Sequence, residues 1–320
     1  MSFSEYIYQL PALEYSFKLS QKEKINVALK EKGWVVVKSI ATQIECSSIV
    51  NKQWNFIEDL GTGIERNNSD TWYVGGKWPG MISTGQILAP NVGHCSAVWQ
   101  ARQLPKVKTL FSNITNSPEL MVSYDTMNMV RPYTLSSNRT KPLVPHLDQN
   151  PHADPDFVCY QGLLNLVDSN LEDGGTMLLS GSHKHFLEYK KYSTKNGGFH
   201  IRLEDVQFKK MVCPILKVGD FLLWDGRLVH GVAPPQKNKK DKKKSNYLRR
   251  SVIYISMVPS NIVNSDARKI RLKWFKEGVT TSHWVTKPKK KNINPRYPRK
   301  IPYVKKKYIN PVLEDTSLIM

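Results

Sequence analysis

The pattern of apolar and polar positions begins with a helix, a strand and a second helix. Apolar residues recur at helical spacing in KEKINVALKEKG (22–33), and Gly33 ends that pattern. The run WVVVKSI (34–40) is β-branched and aromatic, which predicts a strand. The second helix is predicted to open at TQIE, because the hydroxyl of Thr42 can accept a hydrogen bond from the amide of Glu45 while the Glu45 side chain reaches back.

From about residue 120 to residue 259 the pattern changes to short apolar runs separated by turns. The runs MVSYDTMNMV, VCYQGLLNLVD, GGTMLLSGS, CPILKVGDFLLWDG and RRSVIYISMV read as strands, and EDGG and KVGD read as turns. The stretch before them, SAVWQARQLPKVKTLFSNI (96–114), has helical spacing. Short strands at this spacing are typical of an antiparallel sandwich or barrel, so we expect a mainly β fold with flanking helices.

Residues 61–95 form a predicted loop that contains several aromatic side chains. The loop is rich in Gly, Asn, Ser and Thr, and Trp72, Tyr73 and Trp78 are interspersed without a periodic face. Aromatic residues in such a loop can line a binding cleft, or they can plug the loop against the core. The sequence leaves both interpretations open.

The composition is that of a folded globular protein. With 320 residues, of which 40% are hydrophobic, the chain can bury a large core. No apolar run reaches the ~18 residues of a membrane span, and the N-terminus lacks a basic segment followed by an apolar one. The four cysteines lie far apart without CxxC spacing, which argues against a zinc site or a disulfide framework. We therefore expect a cytoplasmic or nuclear protein.

The net charge of +20 is concentrated in two segments. KNKKDKKK (237–244) carries six lysines and one aspartate, and residues 278–313 carry ten Lys or Arg and no acidic residue. Together the two segments account for 15 of the 20 charges. Such segments can bind a nucleic acid or another polyanion, or they can be solvated, and the pattern does not decide between these roles.

The stretch PHLDQNPH (145–152) could bind a metal, work as an acid/base pair or form a polar turn. If it is a strand, residues i and i+2 point to the same side, so His146 and Asp148 would project together. A third ligand could come from His230 in GDFLLWDGRLVHG, where Gly231 leaves room beside it. Two histidines and one carboxylate with an open face suit non-haem Fe(II).

The other histidines are weaker candidates for the third ligand. His152 is the main rival, but it follows a proline in the turn after the proposed strand, so we place it outside the ligand set. The remaining histidines lie between Ser and Lys or have no nearby ligand partner in the sequence: His94, His183, His185, His200 and His283.

The run LRRSVIYISM reads as a further strand that could bind a carboxylate. Arg249 and Ser251 would share one face of it, and a guanidinium beside a hydroxyl can hold a carboxylate through parallel charge-assisted hydrogen bonds. Arg250 would then point to solvent. Alternatively, both arginines only end the lysine-rich loop.

Together these motifs resemble the phytanoyl-CoA dioxygenase-like branch of the Fe(II)/2-oxoglutarate oxygenases. The resemblance covers about residues 20–260 and rests on GWVVVKSIATQIEC, HLDQ, DGGTMLLSGSHK, GDFLLWDGRLVHG and the Arg-x-Ser strand. It implies a double-stranded β-helix (jelly-roll, cupin-like) core within an oxygenase domain at 1–260. A basic, Pro-rich extension would follow at 261–320.

The resemblance also implies the ligands of the cofactors. His146, Asp148 and His230 would hold Fe(II), Arg249 would hold the distal carboxylate of 2-oxoglutarate, and O2 would be the other co-substrate. The lysine loop lengthens the segment between His230 and Arg249, so the clamp could be displaced by one residue.

Strand proximity to the triad suggests further contacts. Besides Arg249 and Ser251, we expect Asn128 and Gln161 to contact the cofactor. Candidates for the rest of the pocket are Tyr124, Gln149 and Trp224.

The reaction implied by the resemblance is hydroxylation of an unactivated C–H bond, with release of succinate and CO2. The substrate is not identified, and a small molecule is favoured. Halogenases of this chemistry replace the carboxylate ligand with a small residue, so the presence of Asp148 disfavours halogenation. The alternative is an oxygenase-fold protein that binds nucleic acid or another polyanion, with a modified-base or non-catalytic role.

Overall fold

The structure is a computed structural model, and it describes most of the chain. The described ranges are 7–11, 15–81, 84–132, 143–152, 156–170, 173–192, 199–200, 211–233, 247–293, 308–313 and 315–319. Within them, residues 7–11, 143–144, 192 and 199–200 are described by their backbone alone. The basic loop 237–244 and residues 294–307 of the basic tail lie outside the described ranges.

Helices flank a larger set of strands. The described helices are α1 (Lys22–Lys32), α2 (Gln43–Asp59), α3 (Ser96–Gln103), α4 (Pro105–Thr115) and α5 (Ser265–Glu277). The described strands are β1 (Ile7–Pro11), β2 (Ser16–Lys18), β3 (Trp34–Lys38), β4 (Leu120–Val122), β5 (Met127–Val130), β6 (Leu143–Leu147), β7 (Tyr160–Asn165), β8 (Gly175–Leu178), β9 (Phe199–His200), β10 (Met211–Ile215), β11 (Phe221–Asp225), β12 (His230–Ala233) and β13 (Arg250–Pro259).

The described strands form two sheets, and the predicted mainly β fold with a jelly-roll core is confirmed. One sheet has the order β1-β10-β8-β12-β6-β9. The other has the order β2-β3-β11-β7-β13-β4, and β5 also pairs with β13. Neighbouring strands are antiparallel, except that β1 is parallel to β10 and β2 is parallel to β3.

The N-terminal helix, strand and helix follow the predicted order. Gly33 has a φ of +78°, and its amide donates to the carbonyl of Leu29 at 2.9 Å, so the left-handed residue closes α1. The capping box at the start of α2 is confirmed. The amide of Glu45 donates to the Thr42 hydroxyl at 3.2 Å, and the amide of Thr42 donates to the Glu45 carboxylate at 2.7 Å.

The single helical pattern at 96–114 folds as two helices. Leu104 has an extended ψ of 126° and separates α3 from α4. Its neighbour Pro105 explains the break, because the proline ring disfavours the helical conformation of the preceding residue and is itself well placed at the first helical position. Buried residues of α2, α3 and α4 pack in one core with residues of the seven-stranded sheet.

The aromatic residues of the predicted loop 61–95 plug it against the core. The Trp72 ring lies 4.8 Å from the Trp54 ring of α2, and the Trp78 ring lies 6.0 Å from it, measured between centroids. Trp72 is fully buried. Of the two interpretations that the sequence left open, packing against the core is therefore the one that applies to the tryptophans of this loop.

Residues after 260 pack on the same core. A helix that the sequence analysis did not identify, α5, begins after Asn264, whose side chain accepts from the amide of Ala267, and Gly278 closes it. The buried guanidinium of Arg271 donates to the carbonyls of Val122 and Leu318, at 2.8 and 3.3 Å. The division at residue 260 stays a prediction, although the described residues on both sides of it share one core.

None of the described helices combines the length and the apolar character that a membrane crossing requires.

Candidate metal centre and cofactor pocket

Two neighbouring strands bring the predicted triad together. His146 lies on β6 and His230 begins β12, and the two residues are direct partners in the antiparallel register. Asp148 follows β6 immediately. One ligand atom of each residue lies within 4.8 Å of the others, which is a spacing that one metal ion can bridge. The three side chains that the sequence singled out therefore lie together, and their role as metal ligands stays a prediction.

Hydrogen bonds and charges fix the state of these side chains. His230 Nδ1 donates to the carbonyl of Leu228 at 3.0 Å, which leaves Nε2 facing Asp148 Oδ2 at 3.1 Å. Nε2 of His146 lies 3.6 Å from Asp148 Oδ1. Burial acts to raise the pKa of Asp148, but the surrounding histidines outweigh it and hold that pKa well below its usual range. The carboxylate is therefore ionised and able to bind a cation.

The triad opens into a cavity of about 200 Å³ between the two sheets. Beyond the triad, its lining residues are Thr84, Gln86, Asp125, Gln161, Thr176, Trp224, Gly231, Val232, Tyr254, His283 and Lys291. Thr176 and Val232 are register partners on β8 and β12, and Gln161 and Trp224 are partners on β7 and β11. Because register partners share a face of a sheet, both sheets contribute their inner faces to this cavity.

The structure turns Arg250 toward the cavity in place of Arg249. Arg250 shares the inner face of β13 with Tyr254, and its Nη2 donates to the hydroxyl of Thr176 at 3.0 Å. No described residue accepts a hydrogen bond from its Nη1, although that atom is buried. Arg249 lies on the other face, where its Nη1 is 3.4 Å from Asp173 Oδ1. The face of β13 that points to the cavity is therefore the one that carries Arg250, and the sequence analysis had assigned the face that carries Arg249.

Ser251 lies on the same outer face of β13 as Arg249. Its hydroxyl donates to the side-chain carbonyl of Gln53 on α2, so the expected Arg-x-Ser receptor does not form at the cavity. Asn128 is fully buried, and its amide donates to the carbonyl of Thr84, which lines the cavity. Gln161 lines the cavity directly, as expected.

The other expected pocket residues divide between the cavity and the core. Trp224 lines the cavity. Tyr124 instead packs among His94, Trp99 and Phe275 in the outer core. The amide of Gln149 donates to the carbonyl of Phe157, so Gln149 stabilises the turn after the HxD stretch.

His283 also lies at the cavity, although its sequence neighbours include no ligand partner. Its Nδ1 lies 3.7 Å from Asp148 Oδ2, and the side chain lines the cavity. Burial lowers the pKa of His283, and the nearby carboxylates of Asp148 and Asp125 oppose that shift. No local motif identifies it, because a long-range pairing of Thr281 with Tyr124 brings it to the cavity.

Three other histidines that the sequence analysis considered, His152, His183 and His185, have partners away from the triad, and His200 is located by its backbone alone. Nε2 of His152 lies 3.3 Å from the carbonyl of Lys190, so this rival ligand points elsewhere. His185 pairs with Glu188, and His183 with the carbonyl of Lys30. The backbone of His200 on β9 pairs with His146.

Comparison with known proteins identifies the family of the central segment. The model of the family "Phytanoyl-CoA dioxygenase (PhyH)" matches residues 86–243, which contain the triad. Residues 86–243 belong to the phytanoyl-CoA dioxygenase family. The resemblance that the motifs indicated is thereby confirmed.

Individual proteins are similar to this chain over most of its length. "Ava biosynthesis cluster protein O" of Aspergillus versicolor is 24% identical over 277 residues, which cover 79% of this chain and 84% of that protein. A hypothetical protein from Escherichia coli has a TM-score of 0.58 at 14% identity, covering 83% of this chain and 77% of that one. The epimerase SnoN, solved in complex with Fe3+, alpha ketoglutarate and nogalamycin RO, has a TM-score of 0.51 at 14% identity, covering 75% and 84%.

Proposed function

We propose that the protein is an Fe(II)- and 2-oxoglutarate-dependent oxygenase that hydroxylates an unactivated C–H bond of a small molecule. The observation that carries the proposal is the convergence of His146, Asp148 and His230 beside a cavity between the two sheets. Two imidazoles and one carboxylate that leave neighbouring space open are the donor set that non-haem Fe(II) takes. The family match and the likeness to SnoN, which was solved with Fe3+ and alpha ketoglutarate, support the same class.

The protein orients this donor set through backbone contacts. The hydrogen bond from His230 Nδ1 to Leu228 fixes the tautomer in which Nε2 is free to bind a metal. The ionised Asp148 supplies negative charge between the two imidazoles. His146 and His230 are held at their spacing by the strand register.

The inner face of the cavity also fits a dicarboxylate. Arg250 is buried, donates one hydrogen bond to Thr176 and keeps Nη1 without a described acceptor. A buried guanidinium with unused donors is suited to a carboxylate, which can accept two parallel hydrogen bonds from it. We therefore infer that Arg250 and Thr176 hold the distal carboxylate of 2-oxoglutarate, in place of Arg249 and its neighbour Ser251, which the sequence analysis favoured.

Further donors on the cavity wall support ligand binding. Among the described residues, no acceptor is found for Gln161 Nε2 or Trp224 Nε1, and both side chains line the cavity. Buried donors are rarely left unpaired in a native state, so these two are available to a bound ligand. When bound, iron and 2-oxoglutarate would supply the chemistry: one oxygen atom of O2 would enter the substrate as a hydroxyl, and the other would enter the succinate that forms from 2-oxoglutarate with loss of CO2.

Anaerobic titration tests this proposal. Fe(II) and 2-oxoglutarate are added without oxygen, and the charge-transfer absorption of the ternary complex is followed; admission of air should then release succinate. A panel of small-molecule substrates, analysed by mass spectrometry, would separate hydroxylation, a gain of one oxygen, from epimerisation, which leaves the mass unchanged. A protein that binds neither Fe(II) nor 2-oxoglutarate would overturn the proposal.

A second candidate function rests on charge. The loop 237–244 and the segment 278–313 hold 15 of the 20 net charges, so a nucleic acid or another polyanion could bind there. The lysine loop lies outside the described residues. This role is compatible with oxygenase chemistry, because none of the triad residues lies in either segment.

A further inference from the structure

One wall of the cavity is built by the C-terminal segment. The amide of Thr281 donates to the carbonyl of Tyr124 at 2.9 Å, and the amide of Tyr124 donates to the Thr281 hydroxyl at 3.1 Å. The segment then returns on itself: the amide of Ser282 donates to the carbonyl of Lys289, and the amide of Lys291 to the carbonyl of Thr280, both at 3.0 Å. This double-stranded return fixes the position of Lys291 against the cavity.

Lys291 forms an ion pair with Asp125 on this wall. The two side chains are 2.8 Å apart, and they are only 21% and 8% exposed. Asp125 Oδ1 also accepts from the amide of Thr126, which orients the carboxylate. A largely buried ion pair contributes little net stability, since the loss of hydration offsets the attraction. Its position on a cavity wall therefore points to binding.

The rest of this wall is polar as well. Thr84 and Gln86 line it from the loop that precedes α3, and His283 lines it from the C-terminal segment. The apolar lining residues, Val232, Tyr254 and Trp224, belong to the inner faces of the two sheets. The cavity therefore combines the triad and Thr176, which accepts from Arg250, with a group of polar side chains that includes Asp125 and Lys291.

The pair of Lys291 and Asp125 offers a ligand in the cavity an ammonium donor next to a carboxylate acceptor, and the two charges cancel. An ammonium has three N–H groups, and Asp125 is the one acceptor that the described residues supply to Lys291. A vicinal diol or a carboxamide can satisfy an ammonium and a carboxylate together, whereas an alkyl chain would leave both unpaired and dehydrated. A site of this kind discriminates strongly against an analogue that lacks the hydrogen-bonding groups.

We propose that Asp125 and Lys291 form a substrate subsite for a neutral polar group, so that the substrate is a hydroxylated or amide-bearing small molecule and not an aliphatic chain. The proposal rests on the proposed function, because it assumes that the triad and Arg250 hold the cofactors. It assigns a binding role to the C-terminal segment, which lies beyond the residues that the family model matches.

Binding of matched probes tests the subsite. The protein is loaded with Zn(II), which is redox-silent, and with 2-oxoglutarate, and ligand-observed NMR measures the Kd of cis-1,2-cyclohexanediol, myo-inositol and cyclohexane. We expect the two hydroxylated probes to bind, and Lys291→Met to weaken them at least tenfold. Lys291→Gln, which keeps one donor group, should weaken them less. The control Lys289→Met changes an exposed lysine of the same segment and should have no effect.

Three results would overturn the subsite: equal binding of the hydroxylated probes to wild type and Lys291→Met, no binding of either to wild type, or tighter binding of cyclohexane than of the diol. Failure of the proposed function would look different, since wild type would then bind neither Zn(II) nor 2-oxoglutarate. In that case the probes are titrated on the metal-free protein, and the same comparison of Lys291→Met with Lys289→Met decides the subsite.

Discussion

His283 Nδ1 lies 3.7 Å from Asp148 Oδ2, so the C-terminal segment contacts a proposed metal ligand. Residues that surround a metal ligand commonly tune its orientation and affinity. We therefore expect His283→Asn to weaken metal binding by about tenfold, the low end of the usual effect of such neighbours. Competition of Zn(II) with a chromophoric chelator measures the affinity. An affinity equal to wild type, or as low as that of His230→Ala, would contradict this role.

The triad itself should be indispensable for metal binding. Asp148→Ala and His146→Ala each remove one of three ligands, so both should abolish Fe(II) binding and succinate release while the cooperative thermal transition is kept. His152→Ala is the matched control, because His152 lies in the adjoining turn and contacts the carbonyl of Lys190 instead. Full 2-oxoglutarate consumption by either triad variant would show that the ligands are placed incorrectly.

The sequence predicted those structural features that depend on residues only a few positions apart in the chain. Gly33 ends α1, Thr42 and Glu45 cap α2, and the HxD stretch brings His146 and Asp148 together, because each depends on neighbours a few residues away. Pro105 is also a local cause of the break at Leu104, because a proline disfavours the helical conformation of the preceding residue. The helical spacing of apolar residues continues across the break, so the sequence analysis predicted one helix there.

The features that the sequence did not predict depend on distant pairing. His283 and Lys291 reach the cavity through the pairing of Thr281 with Tyr124, which no pattern within the segment indicates. The side of β13 that faces the cavity follows from its register with β5 and β7, and a shift of one residue exchanges the faces. That shift is why Arg250, and not Arg249, reaches Thr176.

The two adjacent arginines should respond differently to the same substitution. Arg250→Lys should raise the 2-oxoglutarate concentration needed for half-maximal complex formation at least about tenfold, since an ammonium cannot form the two parallel bonds of a guanidinium. Arg249→Lys should leave that concentration unchanged and instead lower the melting temperature, because Arg249 is paired with Asp173 away from the cavity. Anaerobic titration and thermal unfolding of both variants measure the two effects. If Arg249→Lys weakened 2-oxoglutarate binding and Arg250→Lys did not, Arg249 would be the residue that binds the co-substrate.

Neutralisation of the lysine loop tests the polyanion role without disturbing the core. Deletion of the C-terminal tail is unsuitable, because Leu318 and Ile319 are buried and Lys291 lines the cavity. We would instead change six loop lysines to Gln: Lys237, Lys239, Lys240, Lys242, Lys243 and Lys244. The control changes six dispersed, exposed lysines: Lys24, Lys30, Lys217, Lys269, Lys273 and Lys276.

If the loop binds a polyanion, its variant should lose most affinity for double-stranded DNA at low salt, and the salt dependence of the remaining affinity should be shallower. The dispersed variant has the same net charge and should retain more affinity. Fluorescence anisotropy measures both. Equal loss in the two variants would indicate attraction by net charge alone, and succinate release should be unaffected in each.

The docking of the C-terminus should be sensitive to acid. The side chain of Lys108 on α4 donates a hydrogen bond to Asp315, and this bond, the largest cause, lowers the pKa of Asp315 to about 2. Because the folded pKa lies below the unfolded value of about 4, the stabilisation is fully present above pH 4 and disappears as the pH falls toward 2. Both side chains are about one-third exposed, so the ion pair contributes less than about 1 kcal/mol.

Asp315→Asn should therefore lower the melting temperature at pH 6 by no more than about 2–4 °C, the shift that ~1 kcal/mol produces in a large domain. The difference between wild type and variant should stay constant from pH 7 to pH 4 and then shrink. Asp266→Asn is the matched control, since its ion pair with Lys269 is almost fully exposed and spans 4.0 Å. A difference that grows below pH 4 has the wrong sign for a depressed carboxyl pKa. It would show that the Lys108–Asp315 pair does not hold the described C-terminal residues against α4.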